Sequence, residues 1–207
     1  MVARAPKKLP VARRRAAPAA RGALINQTRK RIASFAPFTA PDARVLVLGT
    51  MPGVASLAAA RYYAHPRNQF WTVMGELCGA GAELPYAQRC RILLERGVAL
   101  WDVFGSCVRT GSADSAIELL DAQLNDLGGF LEAHSALERI LCNGRLAHSS
   151  FHRHWAAHVK VKFPQIRVLA VPSTSPAHAG MTLAQKLSLW RAAWPTPPPT
   201  DSRLARR

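Results

Sequence analysis

The sequence predicts an α/β fold built on a parallel sheet with helices on both faces. Three observations carry that prediction. Four short segments rich in aliphatic and β-branched residues (44–49, 97–103, 137–142 and 166–171) read as buried strands. Stretches with helical spacing separate them, the alternation that strand–crossover–strand units produce, with right-handed crossovers. Each strand also runs into glycine, proline or small polar residues. The loops therefore share one sheet edge, where open α/β folds place their ligands.

Taken in order, the first strand delivers Gly49-Thr50-Met51-Pro52-Gly53, a turn with two glycines and a proline. Twelve residues beyond it stands His65-Pro66-Arg67-Asn68-Gln69-Phe70-Trp71. Pro66 suits the first turn of a helix, which puts His65 and Asn68 at a helix N-terminus with outward-facing N–H groups. Phe70, Trp71, Val73, Met74 and Leu77 continue with helical spacing as far as Gly79 and Gly81. A second helix is predicted from Tyr86 to Glu95, stopped by Gly97. Asp102 ends the second strand, and a charge there faces a crevice or terminates the strand rather than sitting in mid-core.

Gly105 to Ala113 reads as a loop carrying Arg109, followed by a helix from Asp114 to Leu120. Gly128 and Gly129 mark a break before a short helix from Phe130 to Ser135. The third strand turns at Asn143-Gly144 into a helix from Arg145 to about Val159. The fourth gives way to a loop from Pro172 to Gly180 and a closing helix from Leu183 to Trp194. Within that loop, Pro172-Ser173-Thr174-Ser175-Pro176-Ala177-His178-Ala179 is rich in hydroxyls and stiffened by proline. Such a turn suits a phosphate or a duplex groove.

At 207 residues with 49% apolar content, the chain has material for one domain plus tails. No apolar run approaches the roughly 20 residues of a membrane span. The net charge of +16 is unevenly placed. Residues 1–31 hold ten Lys or Arg and no acid, residues 32–200 hold fifteen against eleven acids, and residues 201–207 add three against one. A polycationic tail gains affinity for phosphate backbones by counterion release, so nucleic acid is the expected partner. A basic tail without a dedicated role and an Arg-rich targeting segment are the alternatives; prolines at 6, 10 and 18 and the single Ser34 before residue 40 speak against the second. The division expected is a basic, largely disordered tail over 1–40, an α/β domain over 41–195, and a Pro-rich basic tail over 196–207.

Cys78, Cys90, Cys107 and Cys142 include no C-x-x-C pair. That spacing does not support structural zinc or an iron–sulfur cluster, and points to reduced thiols in a cytosolic protein.

Taken together, GTMPG after a strand, YYAHPRNQFW soon after, GVALWDV on the second strand, NG after the third and PSTSPAHA after the fourth resemble the uracil-DNA glycosylase superfamily. The resemblance is strongest to its hypoxanthine-DNA (deoxyinosine) glycosylase branch and covers roughly Arg44 to Trp194. It implies a three-layer α/β/α sandwich with a central four-stranded parallel sheet. It also implies hydrolysis of the bond joining a deaminated base to deoxyribose, with the nucleotide flipped out of the stack.

The resemblance carries over to particular residues. Gly49, Thr50 and Met51 form the pocket floor against the base. Met51 stands where the superfamily usually keeps an Asp or Asn to position water, and a thioether can do neither that nor deprotonate it. The role moves to Asn68, as the resemblance to this branch implies; without that resemblance, Asn68 reads first as a helix cap. Tyr63 aligns with the aromatic that stacks on the base. Asp102 aligns with the Asn that reads the base edge in uracil-specific relatives, and could accept the N1–H of hypoxanthine or the N3–H of uracil. Asn143 joins this base-binding set, as does Ser173, which replaces a histidine that polarises the base carbonyl. His65, Arg67, Arg109, Ser175, Pro176 and His178 are expected against DNA.

His148 and His152, then His154 and His158, form i, i+4 pairs with no carboxylate beside them, and read as a solvated helix face rather than a metal site. No G-x-S-x-G elbow supports a serine hydrolase. The expectation is a cytoplasmic, DNA-associated, monomeric glycosylase acting on DNA with deaminated bases and using no metal or cofactor. The rival is a noncatalytic nucleic-acid-binding module on the same scaffold.

Overall fold

The computed structural model describes residues 31–195. Seven strands are present among them: β1 (Arg31–Ala33), β2 (Val45–Gly49), β3 (Val98–Asp102), β4 (Phe104–Val108), β5 (Gln123–Leu124), β6 (Arg139–Asn143) and β7 (Arg167–Val171). The helices are α1 (Val54–Ala59), α2 (Phe70–Cys78), α3 (Tyr86–Glu95), α4 (Leu127–Ala133), α5 (Arg145–Lys162) and α6 (Leu183–Ala193). β3, β2, β6 and β7 form the central sheet in that order, and every pairing in it is parallel.

The sheet is covered on both faces, so its inner strands can be apolar throughout. Alternate residues of β2 serve opposite sides. Val45 and Val47 pack with Phe70, Val73 and Met74 of α2, Leu93 of α3 and Trp190 of α6. Leu46 and Leu48 pack with Leu127 and Leu131 of α4 and Phe151 of α5. The result is a three-layer α/β/α sandwich with two cores. All four sheet strands end on the same edge. The order of the strands reverses between β2 and β6, so a crevice opens at that edge.

Several local expectations are corrected. The fold begins before residue 40: β1 pairs antiparallel with β4, and Phe38 bridges Leu100. Residues 31–40 are thus built into the domain, while residues 1–30 and 196–207 lie outside the described residues. The stretch expected as a loop from Gly105 instead runs as β4, in a second antiparallel sheet of order β1-β4-β5. In place of a helix from Asp114 to Leu120 there is one 3-10 turn, Asp114–Ala116. Gly128 and Gly129 lie inside α4, whose first turn is capped by the Asp126 carboxylate accepting from the Gly129 N–H at 3.0 Å. The Pro66 helix start is also displaced: residues 65–68 form a turn closed by Asn68 N–H to the His65 carbonyl (2.9 Å), and α2 begins at Phe70.

Candidate active site

A cleft of about 120 Å³ opens at the carboxyl edge of the sheet. Its floor is Gly49 to Gly53, following β2; Asp102 closes it from β3 and Asn143 from β6. Tyr63, His65 and Asn68 line the wall contributed by the segment between α1 and α2, and Ser173 to Pro176 line the wall after β7. Ser112 and Asp114 complete it from the loop beyond β4.

Asp102 is 5% exposed and accepts the Ser34 hydroxyl on Oδ2 at 3.2 Å. Burial pushes its carboxyl pKa up to about 7; the Ser34 bond and the positive charge of Arg109 pull against that rise, and the neighbouring charge of Asp114 adds to it. Asp102 can therefore accept or donate a proton near neutrality. Asp114 accepts the Thr50 hydroxyl on Oδ1 at 2.6 Å. Burial raises its pKa, opposed by the Thr50 bond and Arg109.

Tyr63 holds a left-handed backbone, φ 53°, that a large side chain adopts only when its surroundings fix it. Two contacts do so. Its ring stacks on Phe70 with centroids 3.8 Å apart, and its hydroxyl oxygen accepts from Asn143 Nδ2 at 3.3 Å. Burial raises the Tyr63 pKa, so the phenol stays protonated. Asn143 also donates Nδ2–H to Thr174 Oγ1 (3.0 Å) and accepts the Thr174 N–H on Oδ1 (3.0 Å), fastening the loop after β7 to the end of β6. Gly144, at φ 106°, makes the turn that follows; a Cβ there would stand 3.1 Å from the Ser173 Cβ.

Asn68 Oδ1 accepts the Phe70 N–H at 3.0 Å, a turn bond to the first residue of α2, whose N-cap position is Gln69. The same bond fixes an amide that faces the cleft, with Oδ1 retaining a second lone pair. Ser175 and Pro176 line the opposite wall. That loop braces itself, since Ser173 Oγ accepts from Ser175 N–H (3.2 Å) and Ser175 Oγ from Ala177 N–H (3.3 Å).

The expected DNA-facing residues divide. His65 lines the cleft, while Arg67 and His178 are exposed outside it. Arg109 is corrected: it is buried, and its guanidinium donates to the carbonyls of Met51 and Pro52. An arginine sealed beneath the floor holds that turn in place and is not presented to a phosphate. The histidine pairs of α5 lie away from the cleft, and among the described residues no cluster of three or more His, Cys, Asp or Glu could hold a metal ion. The four thiols are free. No helix among the described residues is long and apolar enough to cross a membrane.

Sequence reasoning missed Ser34, Asp114, Thr174 and Lys186. Lys186, on α6, is 2% exposed and donates Nζ–H to Gln69 Oε1 and to the His178 carbonyl, each at 2.9 Å. With the Gln69 N–H to the Thr174 carbonyl at 3.0 Å, it clamps the two walls of the cleft together. The only sequence signal for Lys186 was a lysine on the buried face of a helix. For Asp114 it was an acid beside hydroxyl-rich residues.

A parallel sheet with a cleft at its strand-order reversal, lined by an aromatic ring and by hydrogen-bond donors and acceptors, has the form of a ligand site in an open α/β protein. The family profile of the Uracil DNA glycosylase superfamily matches residues 36–195. The chain belongs to that superfamily. It is 35% identical over 107 residues to a protein of Methanosarcina acetivorans named hypoxanthine DNA glycosylase, an alignment covering 51% of this chain and 66% of that protein. A protein of the same name from Methanosarcina barkeri is 31% identical over 112 residues, 54% of this chain and 70% of the relative. The matches thus span about two thirds of these relatives' length. The solution NMR structure of a candidate uracil DNA glycosylase from Methanosarcina acetivorans superposes with a TM-score of 0.66 at 27% identity, over 79% of this chain and 96% of that one.

Proposed function

We propose that the chain is a DNA glycosylase that hydrolyses the N-glycosidic bond of a flipped deaminated base, hypoxanthine first, with uracil and xanthine as further substrates, leaving an abasic site. The observation that carries this reading is the buried Asp102 carboxyl closing a cleft lined by Tyr63 and Asn68. Hypoxanthine presents an N1–H donor where adenine presents an N1 lone pair. An ionised Asp102 accepts the first and repels the second, which separates a damaged purine from its normal parent. Tyr63 stacks on the base, worth roughly 1–3 kcal/mol. Gly49, Thr50 and Met51 form the floor beneath it, and Asn143 and Ser173 border it.

Departure of the base leaves an oxocarbenium-like sugar. The Asn68 carbonyl supplies dipolar stabilisation and holds the attacking water. Ser175 and Pro176 press into the groove, His65, Arg67 and His178 approach the backbone, and the basic N-terminal residues add a salt-sensitive, sequence-independent grip. No lysine is among the described residues lining the cleft, in keeping with a monofunctional hydrolase that forms no Schiff base. Support comes from the superfamily membership and from the names of the two Methanosarcina relatives.

A noncatalytic binding module is the second reading, favoured by Met51 at the usual water-positioning place and by the engagement of Asn68 Oδ1 with the Phe70 N–H. Duplexes carrying a single deoxyinosine, deoxyuridine or deoxyxanthosine, incubated with excess protein and then treated with alkali, separate the two. Strand breakage at deoxyinosine is expected. Binding without breakage on all three substrates selects the module.

A further inference from the structure

The reading above leaves one proton without a destination. Water attacking the sugar must lose a proton, and a neutral amide such as Asn68 can orient water but does not take that proton. Met51 cannot take it either. Asp114 reaches the same cleft from the loop after β4, a part of the chain distant in sequence from both. One of its oxygens, Oδ1, is held by the hydroxyl of Thr50, the residue immediately before Met51. No described residue is hydrogen bonded to the other, Oδ2.

We propose that Asp114 is a second catalytic residue, the carboxylate that accepts the proton of the attacking water in place of the acid lost at position 51. This rests on the glycosylase reading and deepens it. The two acids of the cleft then divide the work. Asp102, closed in by Ser34, reads the base, and Asp114, tethered to the floor by Thr50, serves the water. In the step itself the water oxygen bonds to C1′ as the bond from C1′ to the base nitrogen breaks, and the electron pair of that bond leaves with the base. The water proton passes to Asp114 and on to solvent, and the base takes a proton from solvent. One water is consumed, and the products are the neutral base and an abasic sugar. Besides burial, the groups that set the charge on Asp114 are the Thr50 hydroxyl, the guanidinium of Arg109 beneath the floor, and Asp102 across the cleft; Tyr62, Tyr63 and His65 are the other titratable residues lining it.

The test is single-turnover cleavage of a deoxyinosine duplex by the full chain, as wild type, Asp114→Asn and Asp114→Ala, with duplex binding and Tm measured alongside. Asp114→Asn keeps an acceptor for Thr50 and removes the base. It is expected to lose at least about 100-fold in rate, the low end of general-base contributions, with binding held within twofold and the acidic limb of the pH–rate profile made shallower, leaving the single ionisation that Asp102 supplies. Formate added to Asp114→Ala is expected to restore about tenfold, because a small carboxylate can occupy the vacated place. An Asp114→Asn rate within threefold of wild type overturns the proposal. So does a loss of rate that follows a loss of Tm, leaves the acidic limb unchanged and shows no response to formate. A wild type inert on all three damaged duplexes refutes the glycosylase reading itself, an outcome distinct from an active wild type with an active Asp114→Asn.

Discussion

Gly49 has room for a hydrogen and nothing more. A Cβ at that position would stand 2.6 Å from Asp102 Oδ1 and 3.5 Å from the Tyr63 hydroxyl. Its backbone is ordinary strand, so Gly49→Ala strains no dihedral, and the methyl group must displace the Asp102 carboxyl. The expected outcome is at least a tenfold loss of cleavage rate, about 1.4 kcal/mol, with little change in Tm; a fully active Gly49→Ala would remove Asp102 from base recognition. Asp102 also makes a pH prediction. Its folded pKa of about 7 lies above the ordinary 3.8, so the fold favours the protonated form. That contribution is complete below about pH 4 and is lost as pH rises through about 7, by at most roughly 4 kcal/mol. Asp102→Asn should therefore flatten the decline of Tm between about pH 4 and about pH 7, a comparison that thermal melts across that range settle. Gly49 and Asp102 were legible as cleft residues because they end strands, and Tyr63 and Asn68 because they stand in the YYAHPRNQFW stretch that carries the family resemblance. Ser34, Asp114 and Thr174 were not, because each acquires its role from a partner 31 to 68 residues away.

The elements followed their signals where the signals were local. α3 runs from Tyr86 to Glu95 as its spacing and stop residue indicate, and all four sheet strands fall on the apolar runs. The small sheet escaped notice for a physical reason: β1, β4 and β5 are short and partly polar, and Arg31 pairs with Val108, so nothing within one stretch announces them. The α6 helix shows the same limit. Its periodicity gave its position, whereas the buried Lys186 that ties Gln69 to the His178 carbonyl depends on a partner 117 residues away as well as on the loop before the helix. Removing that clamp while keeping side-chain volume, as in Lys186→Met, should free the loop after β7. Faster amide hydrogen exchange is expected over residues 175–180 with β2 and β6 unchanged; unaltered exchange there would mean that Asn143 and Thr174 hold the loop alone.

At the scale of the whole molecule, the sheet order brings loops from across the chain into one cleft, while much of the positive charge lies outside the described domain. Residues 1–30 carry nine Lys or Arg and no acid. Because β1 starts at Arg31, a deletion meant to test this segment should stop at residue 30. It is expected to reduce the salt dependence of duplex binding, by a slope of at most about 8 if every charge meets a phosphate, and to leave single-turnover cleavage intact; loss of cleavage would place the segment in the reaction. The central claim is that this cleft, through Asn68, releases a deaminated base. Chromatographic measurement of free hypoxanthine from a deoxyinosine duplex, with wild type and Asn68→Ala at matched duplex binding, tests it most directly. The account predicts stoichiometric release of hypoxanthine by wild type and at least a hundredfold slower release by Asn68→Ala; no free base from wild type, or equal release from both, would contradict it.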